Sequence, residues 1–271
     1  MKHVSGDVGP GLLAFALVVG AVPARAQGAY VQVDYMKALP GMERAYVDLE
    51  RDVWKPYHQA LVDAGRRAGW ALYAVRSPAG TAADHDFVTF NGYPSFAGMA
   101  TPYAGDILAG LGVDKDPDTL EREAEATREV VREEIWQLVD RVPAREGEEP
   151  ARYAVVNYMS VPAGGAADYL AVEQGIWRPV HEARVAEGQA AGWGLYEVRF
   201  PGGSEVGYSF VAVDFYAAFG DLEVPATPEV IEKAYPSIDA TALAALGDRT
   251  NAVRQVVRTE LWQLLEATAA Q

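Results

Sequence analysis

The sequence predicts an α+β fold made of two tandem copies of one β-α-β-β-α-β unit. The main observation is a domain-sized repeat: Trp54 to His58 (Trp-Lys-Pro-Tyr-His) returns 123 residues later as Trp-Arg-Pro-Val-His at Trp177 to His181. The same offset relates Gly69 to Tyr73 and Gly192 to Tyr196. In each copy, stretches of period two alternate with stretches of helical period. A repeat of this length indicates a tandem duplication.

The first 26 residues are typical of a secretory signal peptide. A short start with Lys2 is followed by an apolar run from Leu12 to Val22, and Ala24-Arg25-Ala26 supplies the small-x-small cleavage pattern. The run is about half of the roughly 20 residues that a membrane-spanning helix needs, which makes a retained anchor the alternative. Cleavage after Ala26 predicts a periplasmic or secreted protein without membrane contact.

Composition excludes several classes of function. The 271-residue chain has a net charge of −15 and no cysteine. A strongly acidic protein repels phosphate backbones, which argues against a nucleic acid partner. The lack of cysteine excludes disulfides, thiolate nucleophiles and cysteine metal ligands. With 50% hydrophobic residues, the chain is long enough to bury a core without disulfides.

Each copy begins with a strand and a long helix. The strands Tyr30 to Met36 and Tyr153 to Met159 alternate apolar and polar residues, as half-buried strands do. The helices are predicted from about Met42 to Ala64 and from about Ala166 to Gly188. The proline of each Trp-x-Pro-x-His stretch lacks a backbone donor and crowds the carbonyl four residues earlier, so we expect a kink there.

Two more strands follow in each copy, Trp70 to Arg76 and Phe87 to Tyr93, with counterparts Trp193 to Arg199 and Phe210 to Tyr216. In the second strand, tryptophan, leucine and arginine share one face, while tyrosine and valine share the other. In the third strand of the first copy, phenylalanine, threonine, asparagine and tyrosine share a face. Prolines and glycines between these strands indicate turns.

The copies diverge most in residues 94–118 and 217–239, which are rich in Gly, Ala and Pro and predict short helices and loops. A second helix is expected from about Thr119 to Val130. Asp118 and Glu121 resemble a capping box at its start.

The last element of each copy is harder to assign. Residues 132–138 match residues 258–264 at an offset of 126, and we favour a strand for both, with a helix as the alternative. The predicted organisation is therefore a signal peptide (1–26), a first half (27–141), a linker (142–152) and a second half (153–271).

The order β-α-β-β-α-β is the split βαβ pattern, in which helices cover one face of the sheet only. The other face needs a second sheet to cover it, and a duplicated chain supplies one. This pattern resembles the dimeric α/β-barrel superfamily, with two ferredoxin-like halves fused in one chain and packed sheet to sheet. That superfamily includes cofactor-less monooxygenases, small-molecule isomerases, haem proteins and members without known chemistry, so the resemblance does not select one function.

His58 and His181 are the first candidates for catalysis, together with Glu50 and Glu173 two helical turns earlier. Histidine titrates near neutral pH and serves as an acid, a base or a metal ligand. The functional interpretation is a helix-borne histidine that faces a cleft between helix and sheet. The alternative is that Trp-x-Pro-x-His is a packing and kink signature.

Aromatic and arginine side chains are candidates for ligand binding. The repeated strand tyrosines can line a pocket with phenolic donors, or they can be core residues with satisfied hydroxyls. The repeated arginines near strand ends are expected to form ion pairs, as are Arg132 and Arg258 with Glu134 and Glu260; a carboxylate-binding arginine is the alternative. The candidates are Trp54, Trp177, Tyr35, Tyr158, Tyr73, Tyr196, Arg76 and Arg199.

Together these features favour a secreted or periplasmic protein that binds an unknown small molecule, or a cofactor-less enzyme, with one helix–sheet pocket per half. No metal or cofactor is expected, because His58, His85 and His181 show no ligand spacing and no phosphate-binding loop or nucleophile elbow appears. The alternatives are a haem binder with a helix-borne histidine ligand and a non-catalytic interaction module. The halves are expected to form an internal pseudo-dimer, to which further oligomerisation can be added.

Overall fold

The computed structural model describes residues 29–81, 83–100, 105–113, 115–147, 151–223 and 226–269. The predicted signal peptide and its cleavage site lie outside these residues. Within them, no helix combines the length and the apolar character needed to cross a bilayer.

Eight strands form a closed antiparallel barrel in the order β1-β3-β2-β8-β5-β7-β6-β4. The first half of the chain contributes β1 to β4 and the second half β5 to β8. Their bounds are β1 Tyr30–Ala38, β2 Gly69–Ser77, β3 Phe87–Tyr93, β4 Arg128–Val142, β5 Tyr153–Ser160, β6 Gly192–Phe200, β7 Phe210–Tyr216 and β8 Gln255–Ala267.

Eight α-helices and several short turns are described outside the strands. The helices are α1 Glu43–Leu49, α2 Lys55–Asp63, α3 Gly105–Gly110, α4 Pro117–Glu125, α5 Ala166–Val172, α6 Arg178–Ala186, α7 Pro228–Ala234 and α8 Ala240–Val253. A π turn joins α1 to α2 (Glu50–Trp54) and another joins α5 to α6 (Glu173–Trp177). The 3₁₀ turns are Phe96–Ala100, Ser204–Val206 and Phe219–Glu223.

The two halves have the same strand partners in the same register. Tyr30 lies opposite Tyr93 on β1 and β3, and Tyr153 lies opposite Tyr216 on β5 and β7. The halves are joined by hydrogen bonds between β4 and β6 and between β2 and β8. The expected packing of one sheet against the other did not include this pairing of their edge strands, which closes the barrel.

The interruption of the first helix begins six residues before Pro56, at Glu50. The backbone N–H of Lys55 donates to the carbonyl of Glu50, five residues earlier, so this turn has π geometry. The second half repeats the arrangement, with Arg178 donating to Glu173. A π turn is a recognised cause of helix bends and is common near functional sites.

Two local predictions in the first half are wrong. The helix expected to reach Val130 ends at Glu125, because β4 already begins at Arg128. The predicted capping box is also absent from this helix: Asp116 is the N-cap, and its side chain accepts from the Thr119 backbone N–H at 2.9 Å. Pro117 directly after the cap has its backbone angle already set for a helix. The strand preferred for residues 132–138 is confirmed.

The predicted strand faces are confirmed. Tyr73 and Val75 point into the barrel core, whereas Trp70 and Leu72 pack with Tyr46 beneath the first helix. The outer face of the first-half sheet is therefore covered by α1, the π turn and α2. The candidate residues Glu50, Trp54 and His58 lie on this helical segment, beside the sheet.

Candidate functional site

A cavity of about 330 Å³ lies between the helix and the outer face of the sheet in the first half. Buried Asp34, Glu50 and His58 line its inner part, and exposed Arg66 and Glu133 line its mouth. The volume equals that of roughly eleven water molecules, enough for a small organic ligand. The remaining lining residues are Gln32, Met36, Trp54, Tyr57, Leu61, Arg67, Trp70, Thr89, Asn91, Tyr93, Gly98, Met99, Glu121, Arg128 and Val130.

His58 is stacked with two tryptophans. Its ring is nearly parallel to Trp54, with centroids 6.3 Å apart at 27°, and to Trp70, with centroids 5.1 Å apart at 24°. Burial lowers the pKa of His58 well below its usual value of 6.5, and the charge of Arg67 lowers it further. The imidazole is therefore neutral at pH 7. Its Nδ1 atom is buried without a hydrogen-bond partner among the described residues.

Glu50 is the first residue of the π turn and is almost fully buried. Burial raises its pKa to about 7, although the neighbouring Tyr46 hydroxyl and the charge of Arg128 act in the opposite direction. A carboxyl group with this pKa is half protonated near neutral pH, so it can either give or take a proton there.

Asp34, on β1, was not among the candidates from the sequence. Its carboxylate accepts hydrogen bonds from Gln32 at 2.8 Å, Thr89 at 2.9 Å and Asn91 at 2.8 Å. Burial raises its pKa to about 6, although the hydrogen bonds from Gln32 and Thr89 act to lower it. The available signal was the polar face of β1: in a β-α-β-β-α-β unit that face lies beneath the helix, so a charged residue there is buried.

Arg67 holds one side of the cavity. It donates to the side-chain oxygen of Asn91 and, at 2.7 Å, to the hydroxyl of Tyr93. Its guanidinium also lies 4.7 Å from the centroid of the Tyr93 ring. Arg128, near Glu50, has its ion-pair partner in Glu121 at 3.2 Å.

The second half keeps the histidine but arranges its charges differently. His181 stacks on Trp193, with centroids 4.7 Å apart at 13°. Arg184 bonds to Asp214 at 3.2 Å and to the hydroxyl of Tyr216 at 3.0 Å. The same guanidinium contact is thus made from α6 in this half and from the loop before β2 in the first.

Burial lowers the pKa of His181 to about 4, in spite of Asp214 only 3.4 Å away. Burial also raises the pKa of Glu173 to about 7, although Arg254 lies 3.4 Å from its carboxylate. Burial therefore disfavours both the protonated imidazole of His181 and the ionised carboxylate of Glu173. At neutral pH the His181–Asp214 contact is therefore not an ion pair.

The structure separates the candidate residues into groups. Trp54 lines the cavity, whereas the half-buried Trp177 donates to Thr250 at 3.0 Å. Arg76 is exposed, and Arg199 is exposed and pairs with Glu197 at 3.0 Å. The four tyrosines Tyr35, Tyr158, Tyr73 and Tyr196 lie in the barrel core, so they do not shape the cleft beside the histidines as expected.

A second polar cluster lies inside the barrel. The Tyr35 and Tyr158 hydroxyls are 3.1 Å apart. Around them, Trp136 donates to Glu134 and Trp262 donates to Glu260, each at 2.7 Å. The expected pairs of these glutamates with Arg132 and Arg258 are present.

The sequence analysis did not assign His85 and Tyr208 to this cluster. His85 contacts Glu260 at 3.2 Å, and Tyr208 donates to Glu134. Burial raises the pKa of Glu260, but its hydrogen bonds and charge contacts with His85, Trp262 and Arg258 outweigh burial and lower it overall. Since 208 − 85 repeats the 123-residue offset, the repeat itself was the signal that these residues occupy equivalent places.

The first-half cavity can bind a small molecule and exchange protons with it, because it combines a neutral imidazole with carboxyl groups that titrate near neutrality. Within the described residues, no group of three or more His, Asp or Glu side chains is placed to hold a metal ion.

Comparisons with known proteins concern the fold. No family model and no curated protein matches the sequence. Among solved structures, the "Putative monooxygenase" of Fusobacterium nucleatum subsp. nucleatum ATCC 25586 is similar at 8% identity and a TM-score of 0.56, covering 89% of this chain and 94% of that one.

Two weaker similarities have lower TM-scores. A haem-binding protein from Thermus thermophilus has 9% identity and a TM-score of 0.46, covering 88% of this chain and 92% of that one. A mutant chlorite dismutase from Candidatus Nitrospira defluvii has 11% identity and a TM-score of 0.45, covering 89% and 92%. With its closed eight-stranded antiparallel barrel and helices outside, the chain has a dimeric α/β-barrel fold.

Proposed function

We propose that the protein binds a small molecule in the first-half cavity, with His58 and Glu50 as its polar centres. The observation that carries this proposal is an open cavity of about 330 Å³ whose inner wall holds buried, incompletely partnered polar groups. Burying such groups is costly unless they find partners. A bound ligand supplies those partners, and the aromatic rings beside them supply apolar contact area.

The distribution of tryptophans argues against the interaction-module alternative. Trp70, Trp136, Trp193 and Trp262 are at most 1% exposed, and Trp54 is 5% exposed. Only Trp177 is half-buried. The exposed tryptophan cluster that would mark an interaction surface is therefore not formed by these six residues, all of which the structure describes.

The haem alternative does not fit the residues present. Haem ligation needs an imidazole nitrogen that faces an apolar slot. The cavity beside His58 is instead lined by four carboxyl groups and three arginines, so it is not an apolar slot. We therefore assign no role to haem.

A cofactor-less enzyme is the second candidate, and the pKa of Glu50 near 7 favours it. A general acid or base works best when its pKa is close to the working pH. In this reading Glu50 exchanges a proton with the ligand, and His58, neutral at pH 7, accepts or donates a hydrogen bond. The ligand would then be converted, at a rate that follows a group titrating near neutral pH.

A ligand-observed NMR screen of small aromatic and aliphatic compounds tests the binding proposal. We expect hits on the wild type that are lost in His58→Ala and kept in His181→Ala, which removes the equivalent stacked imidazole. A second matched pair guards against unfolding: Met99→Trp at the cavity mouth should block binding, and Leu222→Trp at the equivalent place should not. Hits that survive both first-half changes would overturn the proposal.

The same spectra separate binding from catalysis. A hit that changes chemically over time, with a rate that depends on a group of pKa near 7 and is lost in Glu50→Gln, would support the enzyme. A hit that stays bound and unchanged would leave ligand binding as the function.

Two further points are our proposals. We infer that the halves are fused copies of one ferredoxin-like unit, supported by the 123-residue offset and the shared register; an experimental structure whose halves fail to superpose at that offset would contradict this. We also propose export with cleavage after Ala26. Mass spectrometry of the exported protein should find Gln27 at its N-terminus, and an intact N-terminus would exclude cleavage.

A further inference from the structure

The two halves differ in the charged groups that lie beside their buried acids. In the second half, each acid beside the helix has a guanidinium in reach: Arg184 lies 3.2 Å from Asp214, and Arg254 lies 3.4 Å from Glu173. Taking a carboxylate out of water costs several kcal/mol unless an opposite charge or hydrogen bonds compensate. The second half thus places an arginine beside each of these acids, although burial still raises the pKa of Glu173 to about 7.

In the first half, the two arginines near the buried acids have other direct partners. Arg128, the counterpart of Arg254, pairs with Glu121. Position 247, which is 126 residues after Glu121, holds glycine, so Arg254 has no such competitor there.

The other guanidinium of the first half, Arg67, is held by the neutral partners Asn91 and Tyr93. The acid of this half, Asp34, lies on β1. In the second half the acid is Asp214, which lies on β7, the counterpart of β3. Among the described residues, no lysine or arginine lies within 4.0 Å of the carboxylate of Asp34 or Glu50. These two buried acids therefore line the cavity without a direct ion pair, although Asp34 accepts three hydrogen bonds and Arg128 and Arg67 act on the two acids from a longer distance.

We propose that the first-half cavity binds an organic cation, an amine or amidinium group on a small apolar body, through Asp34 and Glu50. This inference rests on the proposed function and names its ligand class. The bound cation would lie beside these carboxylates, as the guanidinium groups of Arg184 and Arg254 do beside Asp214 and Glu173 in the second half.

The rest of the lining is consistent with a cation. Four carboxyl groups line the cavity against three arginines, and the guanidinium of Arg67 is held by hydrogen bonds to Asn91 and Tyr93 rather than to an acid. The walls include the rings of Trp54, Tyr57 and Trp70. Aromatic faces attract ammonium groups, most strongly when both are shielded from water. Burial raises the pKa values of Asp34 and Glu50 to about 6 and about 7, which a nearby ligand cation would reverse.

Three probes of one shape test the proposal: benzylamine, benzyl alcohol and benzoate, measured by NMR titration at constant ionic strength. We expect benzylamine to bind the wild type at least about tenfold more tightly than benzyl alcohol, and benzoate to bind most weakly, since the charge of a desolvated partner dominates such differences. Glu50→Gln should remove the preference for benzylamine, and Glu173→Gln should retain it.

Asp34→Asn is the second test variant, because the second half carries Asn157 at that position and shows that asparagine suits the fold there. It too should reduce the preference for benzylamine. Equal or tighter binding of benzyl alcohol or benzoate, lost in His58→Ala, would overturn the cation and leave the proposed function intact. Binding of none of the three would also overturn the cation, and the wider ligand screen would then decide the proposed function separately.

Discussion

The hydroxyl oxygens of Tyr35 and Tyr158 lie 3.1 Å apart inside the barrel, although the two residues are 123 positions apart in the chain. Both side chains are fully buried. Each hydroxyl also lies 3.4 Å from a carboxylate of its own half, Glu134 for Tyr35 and Glu260 for Tyr158. Equivalent residues of the two halves therefore meet at this point.

Removing either of these hydroxyls should lower the free energy of unfolding by more than half of the loss caused by removing both. Tyr35→Phe or Tyr158→Phe leaves the other hydroxyl without its closest partner, and we expect a loss of about 1–2 kcal/mol in the free energy of unfolding. The double variant should lose less than the sum of the single losses, because the two groups interact directly. Urea denaturation of the four proteins measures this cycle, and additive losses would show that the hydroxyls are not coupled.

Glu50→Gln should stabilise the protein at alkaline pH. The pKa of Glu50 is about 7 in the folded protein and 4.5 without the fold. Between these values the folded state binds more protons than the unfolded state, so this group lowers stability as the pH rises, and its full penalty of about 3 kcal/mol is present above about pH 7. The variant should therefore gain stability at about pH 8 relative to about pH 4.

Thermal melts across that pH range measure the difference, and the exposed Glu43→Gln serves as the control. A Glu50→Gln curve parallel to the wild-type curve would show that this carboxyl group is not the buried titrating group described above.

Two glycine substitutions in the second half should have opposite effects. A methyl group at Gly194 would lie 2.9 Å from a ring carbon of Tyr196, so Gly194→Ala should cost about 1–3 kcal/mol through overpacking. At Gly175, in the π turn, a methyl group would meet nothing within 4 Å. Gly175→Ala should add about 0.5–1 kcal/mol, because alanine loses less backbone freedom on folding. Urea denaturation measures both, and a stabilising Gly194→Ala would contradict the packing.

Pro56→Ala should disturb ligand binding more than stability. Pro56 lies in the first turn of α2, where a proline is tolerated, so we expect the free energy of unfolding to change by no more than about 1 kcal/mol. Alanine restores a backbone donor that can convert the π turn to α-helical bonding, which would rotate Glu50 and Trp54 relative to His58. Melting curves and the affinity of a cavity ligand measure the two effects.

Pro179→Ala is the matched control, since it makes the same helical change in the other half and should leave that affinity unchanged. A large loss of melting temperature in Pro56→Ala would instead show that the π turn is needed for packing.

Much of the fold could be predicted from local patterns. The alternation in β1, the faces of β2 and the bounds of β3 follow from the two-residue period of a strand, which depends only on neighbouring residues. The end of α4 could not be predicted in this way. Residues 126–130 carry no strong preference, and the pairing of β4 with β1 from Arg128 onward decides their conformation.

For the candidate site, the sequence identified His58, Glu50 and Trp54, because the repeat draws attention to them. It did not identify Asp34, whose polar strand face looks solvent-exposed until the helix is placed over it. It also grouped the strand tyrosines with the histidines. The barrel separates them, because Tyr35 and Tyr73 point inward while His58 packs against the outer face of the sheet.

By itself the sequence showed a 123-residue offset and predicted the order of the elements and which strand faces are apolar, since these properties follow from spacing along the chain. Only the tertiary structure decided which buried charges are partnered. Arg67 and Arg184 stand at different positions of the repeat, yet both guanidinium groups reach the equivalent tyrosines Tyr93 and Tyr216. A long side chain can reach one place from several backbone positions, and burial then sets the pKa values of the carboxyl groups left beside it.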